Sequence, residues 1–145
     1  MRTTVRDMLS AKGGTVWAVT PETPVVEALQ VMAEKNVGAV LVCRGETVVG
    51  ILSERDYARK VVLHDKSSKD TPVADIMTSR VVFVRPDQTT DDCMALMTDK
   101  RVRHLPVLEG GDLIGIISIG DVVKTIIADK DLTIEQLKNY INGAR

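Results

Sequence analysis

Two short segments of the chain share the pattern Gly-hydrophobic-hydrophobic-Ser-x-x-Asp: Gly50-Ile-Leu-Ser53-Glu-Arg-Asp56 and Gly115-Ile-Ile-Ser118-Ile-Gly-Asp121. In structural terms, a serine N-cap and an acid three residues later form a capping box at the start of a helix. In functional terms, the N–H groups and positive dipole end of that helix suit a phosphate. The carboxylate can also accept both hydroxyls of a ribose. The two interpretations are compatible, so both segments are candidate ligand sites.

These segments belong to an internal repeat. Val16–Tyr57 aligns with Val81–Val122 at a constant offset of 65 residues, without a gap. A leading segment also matches, Val5-Arg-Asp-Met-Leu with Val73-Ala-Asp-Ile-Met, at an offset of 68. The first copy therefore carries three extra residues in the loop around Lys12-Gly13-Gly14. Two copies of one unit predict pseudo-twofold symmetry and ligand clefts at a shared interface.

Each copy has the pattern β-α-β-β-α, which predicts a mixed α/β (α+β) fold of tandem repeats. A short strand, an amphipathic helix, two apolar strands and a second helix follow one another. The strands are predicted at Val16–Val19, Gly38–Cys43 and Val48–Leu52 in the first copy, and at Val81–Val84, His104–Leu108 and Leu113–Ile117 in the second. The helices are predicted at Pro24–Lys35, Glu54–Leu63, Thr90–Lys100 and Ile119–Ala128, with a last helix at Leu132–Ile141 that ends at Gly143. Thr89 and Asp92 have the spacing of a capping box, and Thr133 suits the start of the last helix. We predict a first motif over residues 1–64, a linker over 65–72, a second motif over 73–130 and a C-terminal helix over 131–145.

Composition excludes several classes of protein. The 19 basic and 20 acidic residues are mixed along the chain, so no basic stripe suggests a nucleic-acid partner. No apolar run approaches the ~20 residues of a membrane helix, and no signal peptide is recognisable. We therefore expect a cytoplasmic protein with neither nucleic acid nor membrane as partner. We expect Cys43 and Cys93 to be buried free thiols.

No pattern of catalytic or metal-binding residues is recognisable. No Ser-His-Asp set, paired carboxylates or Cys/His cluster with metal spacing occurs, and neither histidine is tied to a cysteine by a motif. His104 is expected to line a cleft or to cap a hydrogen bond. We therefore expect neither an enzyme nor a metal site.

The duplicated β-α-β-β-α pattern and the Gly-hydrophobic-hydrophobic-Ser-x-x-Asp motif resemble a pair of CBS (cystathionine β-synthase) domains. So does the Thr-Pro or Arg-Pro turn before the first helix of each copy. The resemblance covers Val5 to about Ala128 and leaves only a short C-terminal helix, which is similar to stand-alone CBS-pair proteins. It implies an adenosine ligand, with AMP first and ADP, ATP, NAD or S-adenosylmethionine as alternatives.

The resemblance also implies ligand contacts at matching positions. In the first site Asp121 takes the ribose diol, Ser118 and Arg103 meet the phosphate, and Gly38 and Ala39 surround the adenine. In the second site Asp56 and Arg55 take these roles, but Gln88 stands at the position of Thr23, and Arg103 and His104 replace the small residues. The first site is therefore the better adenine pocket. The first set is Thr23, Val37, Gly38, Ala39, Arg103, Ile116, Ser118, Gly120 and Asp121; the second is Ile51, Ser53, Arg55, Asp56, Val102, Arg103 and His104.

The leading functional hypothesis is a regulatory module that senses an adenine nucleotide and signals occupancy to a regulated protein, which the sequence does not identify. The alternative is a constitutive protein-interaction scaffold with vestigial clefts. A homodimer is expected, because the second helices carry more apolar residues than one small unit needs to bury. Those residues are Ala58, Val61, Val62, Val122, Val123, Ile126 and Ile127.

Overall fold

The computed structural model describes residues 3–62 and 67–141. The first two residues of the predicted linker, Asp65 and Lys66, and the predicted helix end at Gly143 lie outside these ranges. The chain divides into two compact units. The central unit is Thr15–Val81, and the terminal unit combines Met1–Gly14 with Val82–Arg145. The leading segment of the first copy, residues 5–9, therefore lies in the terminal unit with the second copy. The leading segment of the second copy, residues 73–77, lies in the central unit with the first copy.

The central unit is built on a three-stranded sheet of order β1-β2-β3, with β1 at Ala18–Val19, β2 at Ala39–Arg44 and β3 at Thr47–Ser53. Strand β1 runs parallel to β2, and β3 runs antiparallel to β2. Helix α2 spans Val25–Lys35, as predicted to within one residue. Its C-cap, Asn36, has left-handed backbone geometry, which suits a residue at the end of a helix.

The second helix of the central unit differs from the prediction. Helix α3 covers only Glu54–Tyr57, and the chain continues as a π-helical segment over Ala58–Val62. A short 3-10 turn at Val73–Asp75 then leads to Thr78, which pairs with Ile51 of β3. The core of this unit is apolar: Val25, Ala28, Met32, Val40, Val42, Leu52, Val61, Val73 and Ile76.

The terminal unit contains helix α1 at Val5–Lys12, helix α4 at Thr90–Lys100, and the antiparallel strands β4 at His104–Glu109 and β5 at Asp112–Ser118. The predicted strand over residues 81–84 is reduced to one bridge between Val84 and Val107. The predicted capping box of Thr89 with Asp92 at the start of α4 is confirmed. The core is again apolar: Val5, Met8, Leu9, Val84, Cys93, Met97, Leu105, Val107, Ile117 and Val122.

The prediction of two separate helices at the C-terminus is wrong. Helix α5 runs without a break over Ile119–Ile141. The predicted boundary at residues 128–131 reads Ala-Asp-Lys-Asp, and it contains neither glycine nor proline to stop a helix. The last helix of the second motif and the predicted C-terminal helix are therefore one continuous helix. The fold class is confirmed as mixed α/β with two β-α-β-β-α-like repeats.

Candidate functional site

Both Ser-x-x-Asp segments form capping boxes, as the structural interpretation predicted. The backbone N–H of Ser53 donates to Asp56 Oδ2 at 3.0 Å, and the N–H of Asp56 donates to Ser53 Oγ at 3.1 Å. The corresponding distances for Ser118 and Asp121 are 2.8 and 3.2 Å. Each aspartate is thereby fixed at the first turn of a helix by backbone geometry.

The strand before each box also contributes to the helix start. Ala39 lies opposite Ser53 in the sheet, and the N–H of Glu54 donates to Gly38 O at 3.0 Å. In the terminal unit, His104 lies opposite Ser118, and the N–H of Ile119 donates to Arg103 O at 2.8 Å. Two N–H groups of each helix start are therefore already bonded within the unit. The helix ends offer fewer donors to a phosphate than the sequence suggested.

Asp121 is held by a residue that sequence analysis did not assign to the site. Lys12 Nζ donates to Asp121 Oδ2 at 2.7 Å and to Ile116 O at 2.9 Å. All the hydrogen bonds to this carboxylate from described residues fall on Oδ2, and the side chain is 23% exposed. Burial raises the pKa of Asp121, but the Lys12 ammonium and the Ser118 donors outweigh burial and hold it below its usual value.

Asp56 has a different set of partners. Its Oδ2 accepts from Ser53, while its Oδ1 lies 3.4 Å from Lys60 Nζ and 3.5 Å from Thr78 Oγ1. Lys60 is four residues further along the same helical segment and also donates to Ile76 O. Both oxygens of Asp56 therefore have a partner within the central unit, whereas Asp121 leaves one oxygen open among the described residues.

The glycine that opens each motif lets the leading segment pack against the strand. A Cβ built on Gly115 would lie 2.6 Å from Leu9 Cδ2, and one built on Gly50 would lie 2.5 Å from Met77 Sδ. Leu9 and Met77 are equivalent positions of the two leading segments. The repeated glycine is thus explained by packing, since real Cβ contacts are essentially never this short.

A cleft of about 460 Å³ lies beside the helix start in the central unit. Two of its lining residues, Val37 and Gly38, are predicted ligand contacts, whereas Tyr57 was not predicted to line a cleft. The only sequence signal was a departure from the repeat, because Tyr57 aligns with an aliphatic residue, Val122, in the second copy. The cleft is lined by Leu29, Met32, Ala33, Asn36, Val37, Gly38, Glu54 and Tyr57.

The family model described as CBS domain matches residues 4–63 and 73–128. The chain belongs to the CBS domain family. It is 39% identical over 97% of its length to CBSX3, a mitochondrial CBS domain-containing protein of Arabidopsis thaliana, and covers 73% of that protein. It is 30% identical to YhcV of Bacillus subtilis, with 81% of each chain covered.

Solved structures agree with this assignment. A protein with CBS domains from Burkholderia ambifaria MC40-6 is 57% identical with a TM-score of 0.84, over 88% of this chain and 96% of that one. The CBS-domain containing protein ATU1752 from Agrobacterium tumefaciens is 42% identical with a TM-score of 0.81, over 85% and 98%. This chain is therefore a tandem CBS pair with the expected fold.

The predicted ligand contacts of the CBS pair fall in both units. Each predicted site combines residues of the two units, and both sites stay predictions. Residues 102–104 lie beside Ser118 in the terminal unit, and residues 37–39 lie beside Ser53 in the central unit. The central unit holds Thr23, Val37, Gly38, Ala39, Ile51, Ser53, Arg55 and Asp56; the terminal unit holds Val102, Arg103, His104, Ile116, Ser118, Gly120 and Asp121.

One difference between the two motifs is smaller than the sequence implied. Thr23 of the first motif corresponds to Gln88 of the second. Thr23 Oγ1 accepts from the N–H of Thr20 at 3.1 Å, and Gln88 Oε1 accepts from the N–H of Arg85 at 2.8 Å. Both side chains therefore close the same turn, because each accepts from the residue three positions earlier.

The surroundings of both cysteines favour the neutral thiol over the thiolate. Both are free thiols; Cys93 is buried as predicted, whereas Cys43 is only half-buried. Burial, with the nearby charge of Asp92, raises the pKa of Cys93 to about 11, and burial also raises the pKa of Cys43. Across residues 3–62 and 67–141 no cluster of three potential metal ligands occurs, and no helix there is long and apolar enough to cross a membrane.

Proposed function

We propose that this CBS pair is a regulatory module that binds an adenine nucleotide, with AMP as the first candidate and ADP, ATP, NAD or S-adenosylmethionine as alternatives. Asp121 would receive the ribose diol, because a carboxylate accepts from two hydroxyls at once. The observation that carries this proposal is the carboxylate of Asp121, which a capping box fixes in place while its Oδ1 accepts nothing from the described residues.

The surroundings of Asp121 support an anionic ligand. Arg103 is exposed, and its carbonyl is bonded to the first helical residue after Ser118. The backbone of Arg103 is therefore fixed beside the start of α5, and guanidinium groups bind phosphates through paired hydrogen bonds. Gly120 exposes backbone where Arg55 stands in the first motif. We rank the Asp121 site above the Asp56 site, whose carboxylate oxygens both have partners.

Regulation would follow from the difference in ligand affinity between two arrangements of the protein, since a ligand shifts an equilibrium only by that difference. The signal-transduction role suggested for the Burkholderia ambifaria protein agrees with this proposal. The receiver of the signal would be another protein.

A homodimer belongs to the same proposal. Part of the predicted apolar face is core, because Val61 and Val122 are fully buried and Ile126 packs against the core. Val62, Val123 and Ile127 are 58%, 41% and 54% exposed, and remain as candidates for the interface. Light scattering should give twice the 15.8 kDa of one chain, and a monomer at micromolar concentration would contradict the dimer.

Ligand binding is tested with the purified protein. Bound nucleotide would raise the absorbance at 260 nm. With one Trp the protein itself absorbs weakly at 280 nm, so even partial occupancy by a nucleotide would change the ratio of the two absorbances. Added AMP at ~100-fold above its dissociation constant should stabilise the fold by about 2.7 kcal/mol per site. For a chain of this size, that corresponds to a rise of roughly 5–10 °C in the unfolding midpoint.

The alternative is a scaffold with vestigial clefts. No shift with AMP, ADP, ATP, NAD or S-adenosylmethionine at millimolar concentration, in protein that is free of bound nucleotide, would overturn the sensor proposal and favour the scaffold.

A further inference from the structure

Lys12 lies in the one part of the repeated region where the two motifs differ in length. The three extra residues of the first copy fall in the loop that contains Lys12, Gly13 and Gly14. Gly13 has a φ of +98°, and a Cβ on Gly14 would lie 2.6 Å from Ile114 O. The two glycines are therefore needed for this path of the chain, which ends α1 with Lys12 beside Asp121.

The ammonium of Lys12 occupies part of the carboxylate that the proposed ligand needs. Asp121 Oδ2 accepts from both Ser118 N and Lys12 Nζ, at 2.8 and 2.7 Å. A vicinal diol that binds a carboxylate in two-pronged fashion places one hydroxyl on each oxygen. Oδ1 can accept one hydroxyl, but the other competes with Lys12 for Oδ2. Ser118 N cannot give way, because it belongs to the backbone of the capping box.

We propose that Lys12 is a latch on the Asp121 site, which the vicinal diol of a nucleoside must displace in order to bind. This inference rests on the proposed function. Lys12 sets the affinity for the diol, since each binding event includes the cost of breaking its ion pair with Asp121. Displacement also frees the segment over residues 12–14, at which the chain passes from the terminal unit to the central unit.

The Asp56 carboxylate has no latch of this kind. Its lysine, Lys60, belongs to the same helical segment and lies four residues away, so its release would free no connecting segment. The Lys12 contact joins residues 109 positions apart in sequence. Of the two aspartate sites, only the Asp121 site would therefore act on residues 12–14, one of the two places where the chain passes between the units.

The affinity test uses Lys12→Met, which removes the ammonium and keeps an unbranched side chain. Adenosine is the primary probe, because it has the diol without the phosphate that an ammonium would attract. Calorimetry should show adenosine binding roughly two- to fivefold tighter to Lys12→Met than to the wild type. 2′-Deoxyadenosine, which lacks one hydroxyl, should show no gain.

Two variants control for the charge and for helix α1. Lys12→Arg keeps a cation that can pair with Asp121 and should bind adenosine as the wild type does. Arg6→Met removes an ion pair with Glu109 from the same helix and should also leave the affinity unchanged. A gain with Arg6→Met equal to that with Lys12→Met would overturn the latch, because any loosening of α1 would then suffice.

A second measurement needs no nucleotide. Trypsin cleaves after lysine, and the Lys12 side chain is only 34% exposed while it is paired with Asp121. Asp121→Asn keeps a side-chain oxygen that can accept from the N–H of Ser118 but removes the charge that holds Lys12. Cleavage at Lys12–Gly13 should become several-fold faster in this variant, and adenosine should accelerate the same cleavage in the wild type.

The outcomes separate the latch from the proposed function. Wild-type protein that binds adenosine, with equal or weaker binding by Lys12→Met, would overturn the latch and leave the function standing. Unchanged cleavage in Asp121→Asn would also overturn it. Failure of the wild type and Lys12→Met to bind adenosine or AMP would overturn the function and, with it, the displacement of Lys12 by a ligand.

Discussion

The two Ser-x-x-Asp motifs of this CBS pair cap their helices in the same way but differ in the other partners of the aspartate. Asp56 is enclosed by Lys60 and Thr78, which come from its own helical segment and its own leading segment. Asp121 is held on one oxygen by Lys12 and leaves the other open among the described residues. The four-residue motif therefore fixes the cap, and residues outside it decide what the carboxylate can bind.

The two leading segments also pack in the same way but differ in burial and in helix length. Each inserts one side chain against a strand glycine, Leu9 against Gly115 and Met77 against Gly50. Leu9 is buried in the terminal core, whereas Met77 is only half-buried. Helix α1 covers two full turns, whereas Val73–Asp75 is a single 3-10 turn. Equivalent positions should therefore contribute unequally to stability.

The largest effect that we expect is on stability. Leu9→Ala should lower the free energy of unfolding by about 2–5 kcal/mol, because it leaves a cavity in the terminal core. Met77→Ala should cost less, about 1–2 kcal/mol, because part of that side chain already faces solvent. Urea unfolding of both variants gives the comparison. Equal losses would show that the two leading segments are energetically equivalent.

Double variants sharpen this test. Gly115→Ala should destabilise the wild type by roughly 1–3 kcal/mol through overpacking, and much less in the Leu9→Ala background, where the opposing atoms are gone. Gly50→Ala should be rescued less by Met77→Ala, because the backbone oxygen of Thr78 would still lie 3.1 Å from the new Cβ. Full rescue at both glycines would contradict the role of Thr78.

The fold could be predicted from the sequence because the pattern of each element occurs in both copies of the repeat. Helices α2 and α4 and all four long strands lie where periodicity placed them, since apolar spacing and capping residues agree there. The predicted break in the last helix was wrong because Thr133 resembled an N-cap, although nothing before it stops a helix. The π-helical segment over Ala58–Val62 carries no glycine or proline that could have signalled it.

The surroundings of the site were harder to predict. The capping boxes follow from spacing within four residues, so the sequence contains them in full. The contact of Lys12 with Asp121 depends on how α1 packs against β5 and α5, and the loop containing Lys12 aligned with nothing in the other copy. The same applies to Tyr57, which lines its cleft together with Leu29 and Met32, residues distant from it in sequence. Local chemistry was predictable, whereas contacts distant in sequence required the structure.

The second prediction concerns affinity for the proposed ligand. Asp121→Ala should weaken nucleotide binding by well over tenfold, because two charge-assisted hydrogen bonds to the ribose diol are lost, at ~1.5–3 kcal/mol each. Asp56→Ala should have a smaller effect, since both oxygens of Asp56 already have protein partners. Calorimetric titration with AMP measures both variants.

Stability measured without ligand is the control. Each substitution removes a capping side chain and should cost about 0.5–2 kcal/mol, by a similar amount in the two units. Equal losses of affinity would mean two equivalent sites. A loss with Asp56→Ala alone would reverse the ranking and indicate that Arg55 matters more than an open carboxylate oxygen.

The smallest expected effect is on the pH dependence of stability. The pKa of Asp121 is held below its usual value, because Lys12 and Ser118 together outweigh the burial that would raise it. A carboxyl with a lowered pKa in the folded state stabilises the protein above the unfolded pKa, about 3.9 for aspartate, and that stability is lost as the pH falls through the folded pKa. Asp121→Asn removes this contribution and keeps a side-chain oxygen that can accept from the N–H of Ser118. The wild type should therefore lose its advantage over Asp121→Asn as the pH falls below about 5 and then through the lowered folded pKa, in urea unfolding at each pH. In the Lys12→Met background the same substitution should change the pH dependence less, since the main donor that lowers the pKa is gone.

Asp7, whose pKa is also lowered by its bonds to Thr4, is present in every variant and cancels in the comparison. Parallel curves for the wild type and Asp121→Asn would mean that the Lys12 contact does not stabilise the charged carboxylate in solution, and that the two aspartates differ less than their partners indicate.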